Sequence, residues 1–305
     1  MSVPRVAIGP WADESITKAV TEGGGEPAGL DRDADALIWL ASSDPEGLRE
    51  AVEATSPRWV QLSSAGIERM AEARVLDGER AWTCAKGCYA QPVAEHALML
   101  ALAGLRVLPE RVMARSWGRP AGESLFGENV TILGAGGIAT VLLELLRPFR
   151  VSVTVVRRGY DPVPGAARTL PMTELASALA TARVVFVALA LTPQTTGIIG
   201  AAELAAMRPD SWLVNVARGR HVQTDALVAA LDAGTIAGAA LDVTDPEPLP
   251  DGHPLWGHPR CIITPHTADT IEMIIPLLAA RVRDNVRRFA AGRPLEGLVD
   301  PALGY

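Results

Sequence analysis

Short apolar runs alternate with stretches of helical spacing in the N-terminal part of the chain. The apolar runs lie at 3–8, 36–40 and 59–62, and helical spacing at 45–54 separates the last two. Strand and helix periods that trade places are typical of a parallel α/β unit. Three consecutive glycines at 23–25 predict a turn or loop between two such elements.

A second alternation of the same kind begins at residue 129. Its strand-like runs lie at 129–133, 151–156, 184–189, 212–216, 236–241 and 261–264. Because these runs are apolar nearly throughout, they predict a parallel sheet that is covered on both faces. Longer helical patterns lie at 92–105, with a proline in the first turn, and at 271–291. The whole pattern predicts an α/β protein.

Composition narrows the class of protein. A chain of 305 residues with 49% apolar and 21% charged residues is long enough for two globular domains. The net charge is −7 and no basic cluster stands out, so we expect no nucleic-acid partner. The longest apolar run, 184–191, is far shorter than the roughly 20 residues that span a bilayer. Three cysteines without framework spacing favour a reducing compartment, and we expect a cytoplasmic protein without membrane association.

A glycine-rich loop joins one predicted strand to the helix after it. The loop consists of Gly134, Ala135, Gly136, Gly137, Ile138 and Ala139. In this context the first glycine permits a tight turn, and the second lets a pyrophosphate approach the helix N-terminus closely. The loop therefore predicts a dinucleotide-binding site, although a plain glycine turn has the same composition.

Two arginines end the strand that follows. A dinucleotide fold selective for NAD carries a carboxylate there for the ribose 2′-hydroxyl, whereas this chain has Arg157 and Arg158. Guanidinium groups bind a 2′-phosphate through charge-assisted hydrogen bonds. We therefore expect NADP(H) to be preferred over NAD(H); the alternative is a solvated loop end.

Three later segments place polar residues directly after predicted strands. They contain Arg218, the stretch 242–247 that ends in Glu247, and His266. An arginine pairs with a substrate carboxylate, a histidine exchanges a proton near neutral pH, and a neighbouring carboxylate favours the protonated histidine. Reduction of a 2-oxo acid needs this combination of groups.

The sequence resembles the D-isomer-specific 2-hydroxyacid dehydrogenase family. The resemblance rests on the order and spacing of segments 63–67, 92–95, 134–139 and 191–195 and of the three polar segments. It implies two Rossmann-like domains with parallel sheets, the cofactor domain being inserted into a discontinuous substrate domain. We expect the substrate domain at 1–92 and 275–305 and the cofactor domain, with its linking helix, at 93–274. The resemblance also implies a homodimer.

Roles follow from the same resemblance, position by position. His266 corresponds to the acid/base, Glu247 to its partner, and Arg218 to the group that binds the substrate carboxylate and polarises the carbonyl. The backbone of Ser64, Ala65 and Gly66 corresponds to a carboxylate cradle. The residues implied to border the cofactor are Thr195, Val216, Arg218, Asp242 and His266, in addition to the glycine loop and the two arginines. Asp269 departs from the family, in which a small residue is common.

The resemblance leaves two functions open. The first is an NADP-preferring reductase of a small 2-oxo acid, with glyoxylate or hydroxypyruvate as the leading substrates. The second is a nucleotide-sensing regulator, similar to the family's corepressor relatives, that binds the nucleotide without physiological turnover. The intact Arg218, Glu247 and His266 favour the enzyme.

Other polar and aromatic residues have plainer interpretations. The spacings among His253, His258, Cys261 and His266 fit no familiar zinc site, so we expect no metal. His96 and His221 are interpreted as structural. Trp117 and Trp256 are interpreted as core side chains, the alternative being that either borders the substrate.

Overall fold

The computed structural model describes residues 3–300 of the chain. The chain divides into two units, one formed by residues 1–89 with 270–305 and the other by residues 90–269. The domain boundaries expected from the sequence lie three and five residues further along the chain.

The first unit is built on a five-stranded parallel sheet. Its strands are β1 (Arg5–Gly9), β2 (Glu26–Ala28), β3 (Ala36–Trp39), β4 (Trp59–Leu62) and β5 (Ala81–Thr83), in the order β2-β1-β3-β4-β5. Every residue of β3 and β4 is buried, as expected of a sheet that is covered on both faces. The helices of this unit are α1 (Glu14–Glu22), α2 (Pro45–Thr55), α3 (Glu68–Glu72) and α11 (Ile271–Ala290).

Local sequence determines where the first helices begin and how closely one of them packs. Asp13 caps α1 by accepting a hydrogen bond from the Ile16 amide, and Asp44 caps α2, whose first residue is proline. After α1 the chain turns at Gly23, where an added Cβ would lie 2.8 Å from the Arg283 carbonyl oxygen on α11. Only glycine permits this approach, and the turn predicted at 23–25 is confirmed.

The second unit contains a seven-stranded parallel sheet in the order β12-β11-β10-β9-β6-β7-β8. The strands are β6 (Asn129–Leu133), β7 (Ser152–Arg157), β8 (Arg168–Pro171), β9 (Val184–Val187), β10 (Trp212–Asn215), β11 (Gly238–Leu241) and β12 (Cys261–Ile263). The strand order reverses beside β6, and ligands of open α/β sheets bind at such a switch point. Both sheets are parallel, which confirms the predicted α/β class.

Helices cover the second sheet. They are α4 (Ala90–Leu105), α5 (Leu108–Met113), α6 (Gly137–Leu146), α7 (Leu175–Leu179), α8 (Ala201–Ala206), α9 (Thr224–Ala233) and α10 (Pro254–Gly257), with 3₁₀ turns at Arg147–Phe149, Met172–Glu174 and Gly219–His221. Helix α4 packs against β10, where Gly104 leaves room for the Trp212 ring. Within residues 3–300, no helix is long and apolar enough to cross a membrane.

The apolar runs predict the central strands better than the peripheral ones. All six runs of the second alternation are strands in the structure, although the run at 184–189 ends early, at Val187. The pattern does not predict β2, β5 and β8, which have only three or four residues and lie at or next to sheet edges. So short a strand buries too little apolar surface to leave a clear pattern.

Candidate active site

The glycine loop lies between β6 and α6, at the switch point of the second sheet. Gly134 has φ +112°, and an added Cβ would lie 2.3 Å from the Ala188 carbonyl oxygen, so no other residue fits there. At Gly136 an added Cβ would have no atom of residues 3–300 within 4 Å. Gly136 is the N-cap residue of α6, and no side chain caps this helix start. The free amides and the open space above them fit the pyrophosphate of a dinucleotide.

The arginine pair and the glycine loop both lie at the carboxyl ends of neighbouring parallel strands, β7 and β6. Strands β6 and β7 are parallel neighbours, and the Gly134 amide donates to the Val156 carbonyl at 2.8 Å, one residue before Arg157. Arg157 is half-buried and its Nη1 donates to the Asp161 carbonyl at 3.3 Å, whereas Arg158 is exposed. Both charges therefore lie at the carboxyl end of β7, the strand whose end receives the ribose in a dinucleotide fold.

His266 and Glu247 form a hydrogen-bonded pair. His266 Nδ1 lies 2.6 Å from Glu247 Oε1, and both side chains are partly exposed, at 46% and 41%. The hydrogen bond to Glu247 raises the pKa of His266, and the bond from His266 lowers the pKa of Glu247. Both shifts favour an imidazolium next to a carboxylate. The second ring nitrogen of His266 is left for another partner.

Asp242 holds the turn that carries His266. The histidine has φ +52°, an uncommon conformation for a residue other than glycine. Its amide donates to the Asp242 carbonyl at 2.8 Å, and the Thr267 and Ala268 amides donate to the Asp242 carboxylate at 3.0 and 3.2 Å. Burial opposes ionisation of Asp242, but hydrogen bonds from His96, Thr264 and Thr267 hold its pKa below the ordinary value.

Arg218 follows β10, the strand next to the one that precedes Asp242. The Asn215 side chain fixes this loop by donating to the Arg218 carbonyl at 2.9 Å and accepting from the Ala217 amide at 3.1 Å. At Gly219 an added Cβ would lie 1.8 Å from the Thr244 carbonyl oxygen, so the loop packs tightly against the segment that leads to Glu247. The charge of Arg218 also contributes to the lowered pKa of Glu247.

The structure thus brings four of the predicted residues together at the carboxyl ends of adjacent strands. Strands β10, β11 and β12 are adjacent and parallel, and Arg218, Asp242, Glu247 and His266 all follow their carboxyl ends. This edge can bind a carboxylate through a guanidinium and exchange a proton through an imidazole whose orientation is fixed by a carboxylate. Among residues 3–300, no group of three or more His, Cys, Asp or Glu side chains could hold a metal ion.

The remaining predicted residues lie in loops that follow strands. The Thr195 hydroxyl bonds within its own turn, to the Ala190 carbonyl at 2.8 Å, and Val216 is buried directly after β10. In the first unit, Ser64, Ala65 and Gly66 follow β4, and the Ser64 hydroxyl donates to the Gly66 carbonyl at 2.6 Å. The roles assigned to these residues stay predictions.

Two further side chains, His96 and Asp269, lie close to this group of residues, and the sequence does not predict their surroundings. His96, interpreted as structural, lies 3.3 Å from Asp242, 146 positions away in the chain, and no local signal indicates that contact. Asp269 is half-buried near His266, and burial raises the pKa of this carboxyl.

The interpretation of Trp117 as a core side chain is wrong, because it is 97% exposed. Trp256 is also not a core side chain, since 45% of it is exposed.

Comparison with known proteins identifies similar chains. Residues 96–268 match the model of the D-isomer specific 2-hydroxyacid dehydrogenase NAD binding domain. An uncharacterised protein of Corynebacterium melassecola is 43% identical over 298 residues, 95% of this chain and 96% of that one. Glyoxylate/hydroxypyruvate reductase A of Klebsiella pneumoniae is 37% identical over 178 residues, and the alignment covers 58% of this chain and only 56% of the relative.

A solved structure resembles the whole chain. It is the D-isomer specific 2-hydroxyacid dehydrogenase of Xanthobacter autotrophicus Py2 in complex with NADPH and MES. The two chains superpose with a TM-score of 0.84 and 26% identity, and the match covers 100% of each.

Proposed function

This chain belongs to the D-isomer-specific 2-hydroxyacid dehydrogenase family, and from that premise we propose that it reduces a small 2-oxo acid with NADPH. The observation that carries the proposal is the hydrogen-bonded pair of His266 and Glu247 at the edge that also presents Arg218. A proton donor and a carboxylate-binding cation are the two groups this reduction requires of the protein.

Each of the three side chains has one task in the proposed reaction. Arg218 binds the substrate carboxylate and orients the carbonyl group. His266 donates the proton of its second ring nitrogen to the carbonyl oxygen, while Glu247 holds the imidazole and stabilises its protonated form. A nicotinamide cofactor, held by the glycine loop, would supply the hydride to C2. The protein itself places a proton donor at the oxygen on which charge develops.

The coupling of His266 to Glu247 predicts a pH effect. Reduction needs protonated His266, so kcat/KM falls as the pH rises through the pKa of this histidine, which the hydrogen bond to Glu247 raises. Glu247→Gln removes the negative charge beside His266. We therefore expect the basic limb of the plot of kcat/KM against pH to shift to lower pH by about one unit. As a control, Asp251→Asn, at an exposed position, should leave the limb in place. An unmoved limb in Glu247→Gln would contradict the assigned role.

The arginine pair supports the choice of cofactor. Replacing Arg157 by aspartate puts a negative charge where the proposed 2′-phosphate binds. We expect the ratio of kcat/KM with NADPH to that with NADH to fall about 10- to 100-fold. The matched control is Arg168→Asp, because Arg168 is exposed and begins β8, whereas Arg157 ends the neighbouring parallel strand β7. An unchanged ratio would show that Arg157 does not contact the cofactor.

Glyoxylate and hydroxypyruvate are the proposed substrates. The similarity to glyoxylate/hydroxypyruvate reductase A supports them, as does a site whose identified charges suit a small carboxylate. The test is a panel of 2-oxo acids, each assayed with NADPH and with NADH by loss of nicotinamide absorbance. We expect the highest kcat/KM with NADPH and one of these two acids. Faster reduction of larger or branched 2-oxo acids would refute the substrate assignment.

We further propose that the chain forms a homodimer through the segment between α4 and β6. Large apolar side chains on this segment are exposed: Leu108, Val112, Met113, Trp117 and Phe126. Such an accumulation is typical of an association surface. Light scattering should therefore give twice the mass of one chain. The double substitution Val112→Asp and Trp117→Ser should reduce that mass to one chain, whereas Trp11→Ser, also exposed, should not.

A further inference from the structure

His96 reaches the candidate active site from the linking helix. It lies in the first two turns of α4, which packs against β10 and β11, and only 15% of its side chain is exposed. Its Nε2 is 2.9 Å from Thr264 Oγ1 and 3.3 Å from Asp242 Oδ1. These two residues directly follow β12 and β11. One histidine nitrogen therefore contacts the ends of two neighbouring strands.

The hydrogen bonds of Thr264 determine which group donates. A threonine hydroxyl has one proton, and Thr264 donates it to Asp242 Oδ1 at 2.6 Å. The Thr264 oxygen must then accept from His96, so Nε2 carries a proton. The result is a directed chain that runs from the His96 N–H to the Thr264 hydroxyl and on to the Asp242 carboxylate.

Asp242 in turn forms hydrogen bonds with the turn that contains His266. Its carboxylate accepts the amides of Thr267 and Ala268, and its carbonyl accepts the amide of His266. These bonds stabilise the left-handed backbone at His266, which costs free energy in a residue with a side chain. Freedom of the Asp242 carboxylate to rotate would loosen the turn and the contact between His266 and Glu247.

We propose that His96 is a positioning residue, which acts through Thr264 and Asp242 to fix the turn that presents His266 for proton transfer. This assignment rests on the proposed function only in giving His266 the acid/base role. A histidine that merely filled space in α4 would need its shape, whereas a positioning histidine needs the proton on Nε2. Leucine and glutamine separate these cases, since leucine keeps bulk and glutamine restores an N–H donor near the position of Nε2.

The first test measures His266 directly and requires no turnover. The chain has five histidines, so ¹³C labelling of the imidazole Cε1 gives one resonance for each histidine, whose titration NMR can follow. In His96→Leu we expect the pKa of His266 to fall by about half a unit, because its bond to Glu247 is no longer held. In His96→Gln it should stay within about 0.2 units of the wild-type value. Equal values in all three proteins, or an equal fall in both variants, would overturn the proposal.

The second test asks whether His96 acts through Thr264. Thr264→Val removes the hydroxyl with little change in volume and provides a second route if His96→Leu folds poorly. We expect each single variant to lower kcat about tenfold, with KM for the 2-oxo acid nearly unchanged because Arg218 is intact. The double variant should be no worse than either single one. Multiplied losses would show that the two residues act separately and would refute the chain of hydrogen bonds.

The two tests also separate this proposal from the proposed function. A wild-type protein that reduces no 2-oxo acid would refute the function, and the NMR titration would still decide the role of His96. Normal turnover together with an unaltered His266 titration in His96→Leu would refute the role of His96 alone.

Discussion

Replacement of His266 by alanine should lower kcat for 2-oxo acid reduction by a factor of about 10² to 10⁴, the usual contribution of a positioned general acid. The variant retains Arg218 and the glycine loop, so KM for the substrate and the Kd of NADPH should change little. Steady-state kinetics and titration of NADPH fluorescence measure these quantities.

The chain provides a matched control in the same unit. His253 begins the short helix α10, and His253→Ala should keep kcat within about twofold of the wild type. A His266→Ala variant that turns over at a similar rate would show that another group supplies the proton. Solvent could not substitute at that rate without a positioned donor.

Arg218→Gln should produce the second large effect, a loss of about 10² to 10³ in kcat/KM for every 2-oxo acid that the wild type reduces. In the proposed reaction the guanidinium forms two charge-assisted hydrogen bonds to the substrate carboxylate. The neutral amide of glutamine restores neither the charge nor the planar pair of N–H donors. Arg218→Lys should recover part of the loss, because it restores the charge but not the planar pair of donors.

The control for Arg218 lies two residues further along the chain. Arg220 is exposed, and Arg220→Gln should change kcat/KM by no more than about twofold. If Arg218→Gln and Arg220→Gln behaved alike, the substrate carboxylate would have to bind elsewhere, and the cradle predicted at Ser64, Ala65 and Gly66 would become the leading candidate.

Local pattern was sufficient to predict six of the seven strands in the sheet of the second unit, and the glycine loop. Buried parallel strands are apolar on both faces, so β9 and β10 are visible as runs in the sequence. Gly134 is similarly visible, because its positive φ and its close approach to the Ala188 carbonyl require the absence of a side chain. The order of Arg218, Glu247 and His266 after successive strands then placed them at one edge.

Other features depend on contacts that no local pattern encodes. His96 and Thr264 are 168 positions apart, and only the packing of α4 on the sheet brings them together. The left-handed backbone of His266 is held by hydrogen bonds to Asp242, which lies 24 positions earlier in the chain. The exposure of Trp117 contradicts the usual burial of aromatic side chains, which is the basis on which a sequence places them in the core.

The most direct test of the account is to mix the wild-type protein with NADPH and hydroxypyruvate or glyoxylate and to quantify both the cofactor oxidised and the 2-hydroxy acid formed. We expect equal amounts of oxidised cofactor and 2-hydroxy acid, with the D isomer of glycerate formed from hydroxypyruvate. Tight binding of NADPH without formation of any 2-hydroxy acid would contradict it and would favour a nucleotide-sensing regulator built on the same fold.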